Sequence, residues 1–531
     1  MRVYLLTIVT AFALCSPGVG VAQIPAPGAR TPIFVRQGPG ADTQAPVTAE
    51  APDLVSLSPA VETLQNALDR TYQTNPALMA QRAALRGVDN GAALARAEGH
   101  PSIATSARFN EEAYTTRRVG VLGRNFTTSA DVEQILFAGG RIRNNVIAAD
   151  TRVIAGRADL RAIEADVLVE AIGAYADLLR DRQIRDFTLD QVRALEANLL
   201  STQSRLRVGD LTRTDVSQSE ARLALAQSSL ATAEGRVQSS EENFHRVVGS
   251  RAGVLNPLPP LPPMPRTVEQ AVQITLADNA DLASFAGRAR AAGYLVNAAK
   301  AERYPTISAV VSTAYSNALG TADVANGLPR GTLPNSATNI GAGLTLRLPL
   351  YQGGAASARV RQAEEARAVL VEQTVFAERF AVASARAAFS TWRTSVTAIA
   401  ANERAVASNE VALRSVKIEQ TVGSRSIVEV LNAEQELLAS RIALSNATRD
   451  AYVAAFALLN AMGAAEAVDL GFGLDPLYDP RANYRTYGRT WSDWADGPRR
   501  RSASTRTVPE DANSPLTRLN TGMPHAVEER P

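Results

Sequence analysis

Histidines, cysteines and paired carboxylates are the residues best able to do chemistry, and this sequence holds few of them. His100, His245 and His525 are the only histidines and Cys15 the only cysteine. No two histidines stand at a spacing that would put both imidazoles on one metal ion, and none shares a motif with a nucleophile. The acid pairs Glu241-Glu242 and Glu364-Glu365 are adjacent, so on a helix their carboxylates point different ways, as on a solvated face. Neither a phosphate-cradling G-x-x-x-x-G-K-[ST] nor a nucleophilic G-x-S-x-G is present. The residues thus offer no catalytic, metal or cofactor site, and the sequence reads as a non-enzyme. Formal net charge is +2 over 531 residues, which gives nucleic-acid binding no support. Lys300 and Lys417 are the only lysines, a scarcity that reads as coding bias.

What remains is length without punctuation. L-Y-Q-G-G at Leu350 to Gly354 opens a helical pattern with neither Pro nor Gly from Arg359 to Thr421. T-V-G-S at Thr421 to Ser424 turns the chain, and I-V-E-V-L-N-A-E-Q-E-L brings it back. Such a run reads as coiled coil, about 100 Å long at the helical rise per residue. On the return arm Val430, Ala433, Leu437, Ser440, Leu444, Ala447, Ala451, Ala454 and Leu458 step by three and four, which places them on one heptad seam. Mostly large and always small residues alternate along it, so the seam suits close helix packing.

The seam occurs twice. Subtracting 214 gives Val216, Ser219, Leu223, Ala226, Leu230, Ala233, Val237, Ser240 and Phe244, with the same alternation. At that offset R-V-G-D at Arg207 to Asp210 matches T-V-G-S, F-A-G-G at Phe137 to Gly140 matches Y-Q-G-G, and Asp215 matches Glu429. Ahead of the double glycine the offset is 204, pairing Asn75 with Asn279 and Pro101 with Pro305. The chain is a duplication, with ten residues inserted between Pro305 and Gly353.

Segments follow from this. Residues 1–22 have the basic start, apolar run and small-residue end (Gly20, Ala22) of a secretory signal peptide, the alternative being an uncleaved anchor. Leu14 ahead of Cys15 disfavours a lipoprotein signal. Residues 23–57 read as a flexible leader, 58–250 as the first repeat, 251–266 as a Pro-rich linker, 267–463 as the second repeat and 464–531 as a largely disordered tail. That tail contains a basic cluster, Arg499 to Arg501, suited to a partner, to lipid head groups or to plain solvation. No further segment is apolar for 18 residues, which excludes a second membrane helix and leaves a β-barrel open. Strand patterns fall at Ser102–Phe109 and Thr128–Phe137, around a polar tip at Thr115–Arg118, and again at Thr306–Tyr315 and Asn339–Leu348. In the last, Ile340, Ala342, Leu344, Leu346 and Leu348 share one face, which fits a lipid-facing barrel strand and an ordinary half-buried sheet equally well.

Exported, duplicated, with each half reading helix, strand pair, double glycine, long helix, V-G turn and returning helix, the chain resembles the TolC family of outer-membrane factors. The matching words are T-V-E-Q-A-V at Thr267 to Val272, N-x-x-L at Asn75 and Asn279, Y-P-T-I at Tyr304 to Ile307, L-Y-Q-G-G, and V-G-x-x-x-I-V-E-V-L-N-A-E at Val422 to Glu434. The resemblance implies a mostly α fold with a transmembrane β-barrel contribution. A homotrimer would share one barrel, four strands from each chain, above a tapering α-helical tunnel in the periplasm of a Gram-negative bacterium. It implies an exit duct embedded in outer-membrane lipid, working with a periplasmic adaptor protein and an inner-membrane pump of the ABC or resistance-nodulation type. It also implies a periplasmic gate. Arg425 matches the family's gate arginine, and Asp215 and Glu429 match family aspartates. An Arg425–Asp215 link is expected at the closed tip, with Glu429 facing the lumen as a ring of three carboxylates that favours cations. Gln420 and Asn432 depart from the family's tyrosine and second aspartate, so the latch is expected to be looser and the ring less acidic. Arg425 as a residue merely capping its turn is the competing reading. Adaptor contact is expected at Val208, Gly209, Asp210, Val422, Gly423 and Ser424.

Two rivals stand beside this. A structural coiled-coil envelope protein without a channel explains the helices but not strand pairs at the same place in both halves. A duct for secreted protein rather than small molecules fits the sequence as well as an efflux duct does.

Overall fold

A computed structural model of the chain describes residues 61–498 apart from 112–123, 210, 322–328, 330, 332, 333 and 472–476, together with residue 504. The signal peptide, the leader and the polar tip at Thr115–Arg118 lie outside the described residues. In chain order the elements are β1 (Val61–Glu62), α1 (Leu64–Thr74), α2 (Pro76–Ala97), β2 (Ser102–Glu111), β3 (Arg124–Phe137), α3 (Arg141–Arg207), α4 (Arg213–Val248), β4 (Val254–Leu255), α5 (Val268–Asp278), α6 (Ala280–Ala301), β5 (Thr306–Asn317), β6 (Ser336–Arg347), α7 (Ala355–Thr421), α8 (Ile427–Ala461) and α9 (Ala482–Tyr487).

The duplication is visible element by element. The short helices have 11 and 22 residues in each half, and α3 and α7 both have 67. The boundaries repeat because the residues that set them repeat. Thr63 and Thr267 cap α1 and α5, their hydroxyls accepting the amides of Asn66 and Gln270. Asn75 and Asn279 end one helix and cap the next: their side-chain oxygens accept amides at the start of α2 and α6. Pro76 then occupies the first position of α2, where a missing N–H costs nothing.

Both seams are the sides on which α4 and α8 bury themselves. None of their positions is exposed, and Phe244 and Leu458 are fully buried. The core gathers where the short helices wrap the long ones, around Leu168, Ile172, Tyr175, Leu178, Phe244 and Leu458. Residues 251–266 take part in it. Val254–Leu255 pairs in parallel with Val61–Glu62, and Leu258, Leu261 and Met264 pack on the core, so the linker is a fixed strap.

Part of the tail departs from expectation. Composition predicts a largely disordered chain beyond 463, yet Ala465 and Ala467 are buried in the core and α9 (Ala482–Tyr487) packs along α2, while residues 472–476, 499–503 and 505–531 lie outside the described residues. The polar composition that suggests disorder belongs to a strap held by hydrogen bonds, cation–π contacts and a stacked ring instead of by apolar periodicity.

Candidate functional site

The four longer strands form one antiparallel sheet in the order β2-β3-β5-β6. Directly opposed residues share a face, so the register sorts every side chain. On one face lie Ile103, Ala107 and Phe109; Phe126, Ala130 and Val132; Ile307, Ala309 and Val311; and Ile340, Leu344 and Leu346. The other face carries Arg108, Asp131, Glu133 and Arg347 among serines, threonines and glycines. The apolar face is bare: Ile103 is 71% exposed, Ile340 80% and Leu344 73%. An ordinary half-buried sheet covers its apolar side with protein. A transmembrane strand leaves it to lipid and turns its polar side inward, and that is the arrangement here. Among the described residues, strands β2 and β6 are unpaired edges.

About 100 Å away along α3 and α7, the helices reverse in two equivalent turns. Gly209 and Gly423 hold φ of +82° and +80°, and Val208 and Val422 beside them are 79% and 76% exposed. Asp210 lies outside the described residues. Each return helix starts with a reciprocal capping box. The Thr212 amide donates to Asp215 Oδ2 at 2.9 Å and the Ser426 amide to Glu429 Oε2 at 2.9 Å. The backbone bond from Thr212 holds the Asp215 carboxyl below its ordinary range. Glu429 is held low first by the hydrogen bond from Arg425 and then by Ser426.

The expected Arg425–Asp215 link is not made within the chain. Arg425 reaches Glu419 at 2.7 Å and Glu429 at 2.8 Å, both on its own hairpin, and Asp215 is engaged with Thr212. Gln420 sits at the end of α7, its carbonyl accepting the Gly423 amide at 3.1 Å. Asn432 does meet the other hairpin: its Oδ1 accepts from Arg222 of α4 at 3.1 Å, and Gln435 accepts from the same guanidinium at 2.5 Å.

Sequence reasoning missed the other inter-hairpin link. Glu434, on α8 and 4% exposed, accepts from Lys417 Nζ of α7 at 2.8 Å and from Asn198 Nδ2 of α3 at 3.2 Å. A signal was available. Glu434 follows the seam residue Ala433, so a carboxylate there needs a buried partner, and Lys417 is one of two lysines in the chain. Higher up, Arg449 of α8 holds Asp177 of α3 at 2.7 Å. Among the described residues no cluster of His, Cys, Asp or Glu could hold a metal ion, and no helix is long and apolar enough to cross a membrane.

Comparison with known proteins agrees with this geometry. A family model described as "Outer membrane efflux protein" matches residues 67–250 and 271–464, one span in each half. The chain is 34% identical to the outer membrane efflux protein BepC of Brucella suis over 436 residues, 81% of this chain and 91% of that protein. It is 24% identical to the outer membrane protein TolC of Escherichia coli over 310 residues, 57% of this chain and 62% of that one. The solved structure of the outer membrane protein VceC from Vibrio cholerae superimposes with a TM-score of 0.64 at 22% identity, covering 75% of this chain and 96% of that one.

Proposed function

The chain belongs to the outer membrane efflux protein family, and from that premise we propose how it works as a duct. It is an outer-membrane channel of an efflux or secretion system, with its helices in the periplasm. Three copies close the channel, and the duplication supplies the reason. Within one chain, β3 of the first half pairs with β5 of the second, and α6 of the second half packs between α3 and α7. Repeating that half-to-half contact between chains pairs β6 of one copy with β2 of the next and lays α2 of one on α7 of its neighbour. It would cover Phe376, Phe380 and Val369, which α7 leaves exposed where the equivalent helix α3 is buried on most sides. The observation that carries the duct is the sheet: one bare apolar face without a charged side chain between Ile103 and Phe109 or between Ile340 and Leu346, and two open edges.

Substrate passes without chemistry by this chain. Energy comes from an inner-membrane pump through a periplasmic adaptor, which docks on the two turns, at Val208, Gly209 and Asp210 and at Val422, Gly423 and Ser424, where Val208 and Val422 are exposed. The tip is held by Arg222 on Asn432 and Gln435 and by Glu434 on Lys417 and Asn198. Arg425, with Glu429 and Gln420, stiffens its own turn and faces Asp215 only across chains. Single-channel conductance in a planar bilayer tests this with wild type, Arg222→Ala and Arg425→Ala. Larger or more frequent openings in Arg222→Ala are expected. An equal gain in Arg425→Ala would add the cross-chain latch; no change in either would discard the gate. Loss of both conductance and heat-modifiable trimers in the wild type would leave a structural coiled coil.

A further inference from the structure

We propose that the C-terminal strap, residues 477–498, is a membrane-interface anchor that sets Trp491 and Trp494 into the head-group region of the periplasmic leaflet. The strap climbs α2 rung by rung toward the strands. The Tyr478 amide donates to the Tyr72 hydroxyl at 3.2 Å, and the Arg82 guanidinium lies between the rings of Tyr72 and Tyr478, 4.3 and 4.9 Å from their centres. Asn483 donates to Asp89 at 3.3 Å. Arg96 then holds the Tyr484 hydroxyl at 2.6 Å, the Gly488 carbonyl at 2.8 Å and Asp150 at 2.5 Å. Last, Trp491 stacks on His100, ring centres 4.0 Å apart and planes 20° from parallel.

That final rung fixes the height. His100 is two residues before β2 begins, where helix gives way to the sheet whose apolar face meets lipid. So elaborate a set of contacts ends on two indoles left open: Trp491 is 72% exposed and Trp494 94%. Tyr351 and Tyr304, at the same end of the sheet, are also exposed. Indole rings with an apolar body and one N–H donor collect at the boundary between hydrocarbon and water. Past the indoles the sequence runs into Arg499, Arg500 and Arg501, cations that suit anionic head groups. The occupant that fits an exposed aromatic pair at barrel-base height, continuous with a lipid-facing surface and followed by positive charge, is the phospholipid interface.

Tryptophan emission from the full-length protein tests this directly, because Trp392 is the only other tryptophan. In Trp392→Phe protein, vesicles of phosphatidylcholine and phosphatidylglycerol brominated near the carbonyl end of the acyl chain should quench the emission. Bromines near the chain end should quench it less, and iodide should lose access on reconstitution. Emission untouched by either bromine overturns the proposal: iodide access would then place the strap in periplasmic water, and iodide exclusion would place it against a protein. Leu344→Trp in a chain with all three native tryptophans changed to Phe separates this from failure of the duct itself. That indole should be quenched by the deeper bromines. If it is not, the sheet is outside the membrane and duct and anchor fall together.

Discussion

At the residue scale the charged groups of the tip divide by burial. Glu434 is sealed between three helices, whereas its partner Lys417 is about half exposed. Glu434→Ala removes both links at once and leaves Asn198 unpaired. The cost is expected at the lower end of about 1–3 kcal/mol, since solvent screens the lysine side. It should be read as more frequent channel openings and a lower heat-dissociation midpoint. Glu434→Gln keeps an acceptor for Asn198 and should lose less. Glu429 makes a prediction about pH. Its carboxyl is held below the ordinary value of 4.5, chiefly by Arg425. A depressed folded value means the capping box contributes fully above 4.5 and is lost only as pH falls through the lower, folded value. Channel closure should therefore be flat from neutral pH down to about 4.5 and weaken only in more acid solution; Glu429→Gln should abolish that acid limb. A gate that loosened near pH 6 would assign the transition to some other group. The Arg425–Asp215 expectation failed within the chain because sequence matching assigns positions but not competition. Glu419, six residues before Arg425, offered a carboxylate on the same hairpin, and nothing in the motif marks it.

Elements were more legible than residues. Double glycines, V-G turns and a seam stepping by three and four mark where both hairpins open, turn and return, because long helices announce themselves by periodicity and their ends by capping chemistry. The strap over α2 was not legible. Its single recognised helix has 6 residues, too few for a period, and its hold on α2 comes from Arg82, Arg96 and Asp89, whose partners lie hundreds of residues away in sequence. The glycines that end the helices separate two costs. Gly423 has φ of +80° with open space where a Cβ would go, while Gly463 has φ of +73° and a Cβ there would collide with the Asp278 carbonyl oxygen. Gly423→Ala should cost only the left-handed backbone term, about 1–2 kcal/mol at an exposed turn. Gly463→Ala must in addition push α8 off the end of α5, beside the cap where Asn279 Nδ2 donates to the Ala461 carbonyl at 3.0 Å. Heat-dissociation midpoints of the two variants should differ clearly, with Gly463→Ala the lower and poorer in assembled yield. Equal midpoints would mean the α5–α8 junction yields without loss.

At the scale of the whole molecule, a duplicated chain dictates how copies join. The two halves differ by 204 residues in the first strand of each pair and by 214 in the second. Within the chain Val132 stands opposite Val311 and Ala130 opposite Thr313. If chains meet as halves do, Leu346 of one copy stands opposite Ala107 of the next, and Leu344 opposite Phe109. The two faces check the register independently. Leu344, Leu346, Ala107 and Phe109 all lie on the apolar side, whereas a slip of one residue would set Leu344 against Arg108 and put a charge toward lipid. Cys15 is the only cysteine of the sequence, so in a chain that also carries Cys15→Ser an engineered pair reports unambiguously. Leu344→Cys with Phe109→Cys should oxidise into covalent trimers that survive heating in detergent. Leu344→Cys with Arg108→Cys, facing opposite sides, should remain monomeric under the same treatment. Cross-linking by the second pair and not the first would shift the seam by a residue and remove half-to-half repetition as the rule that closes the ring.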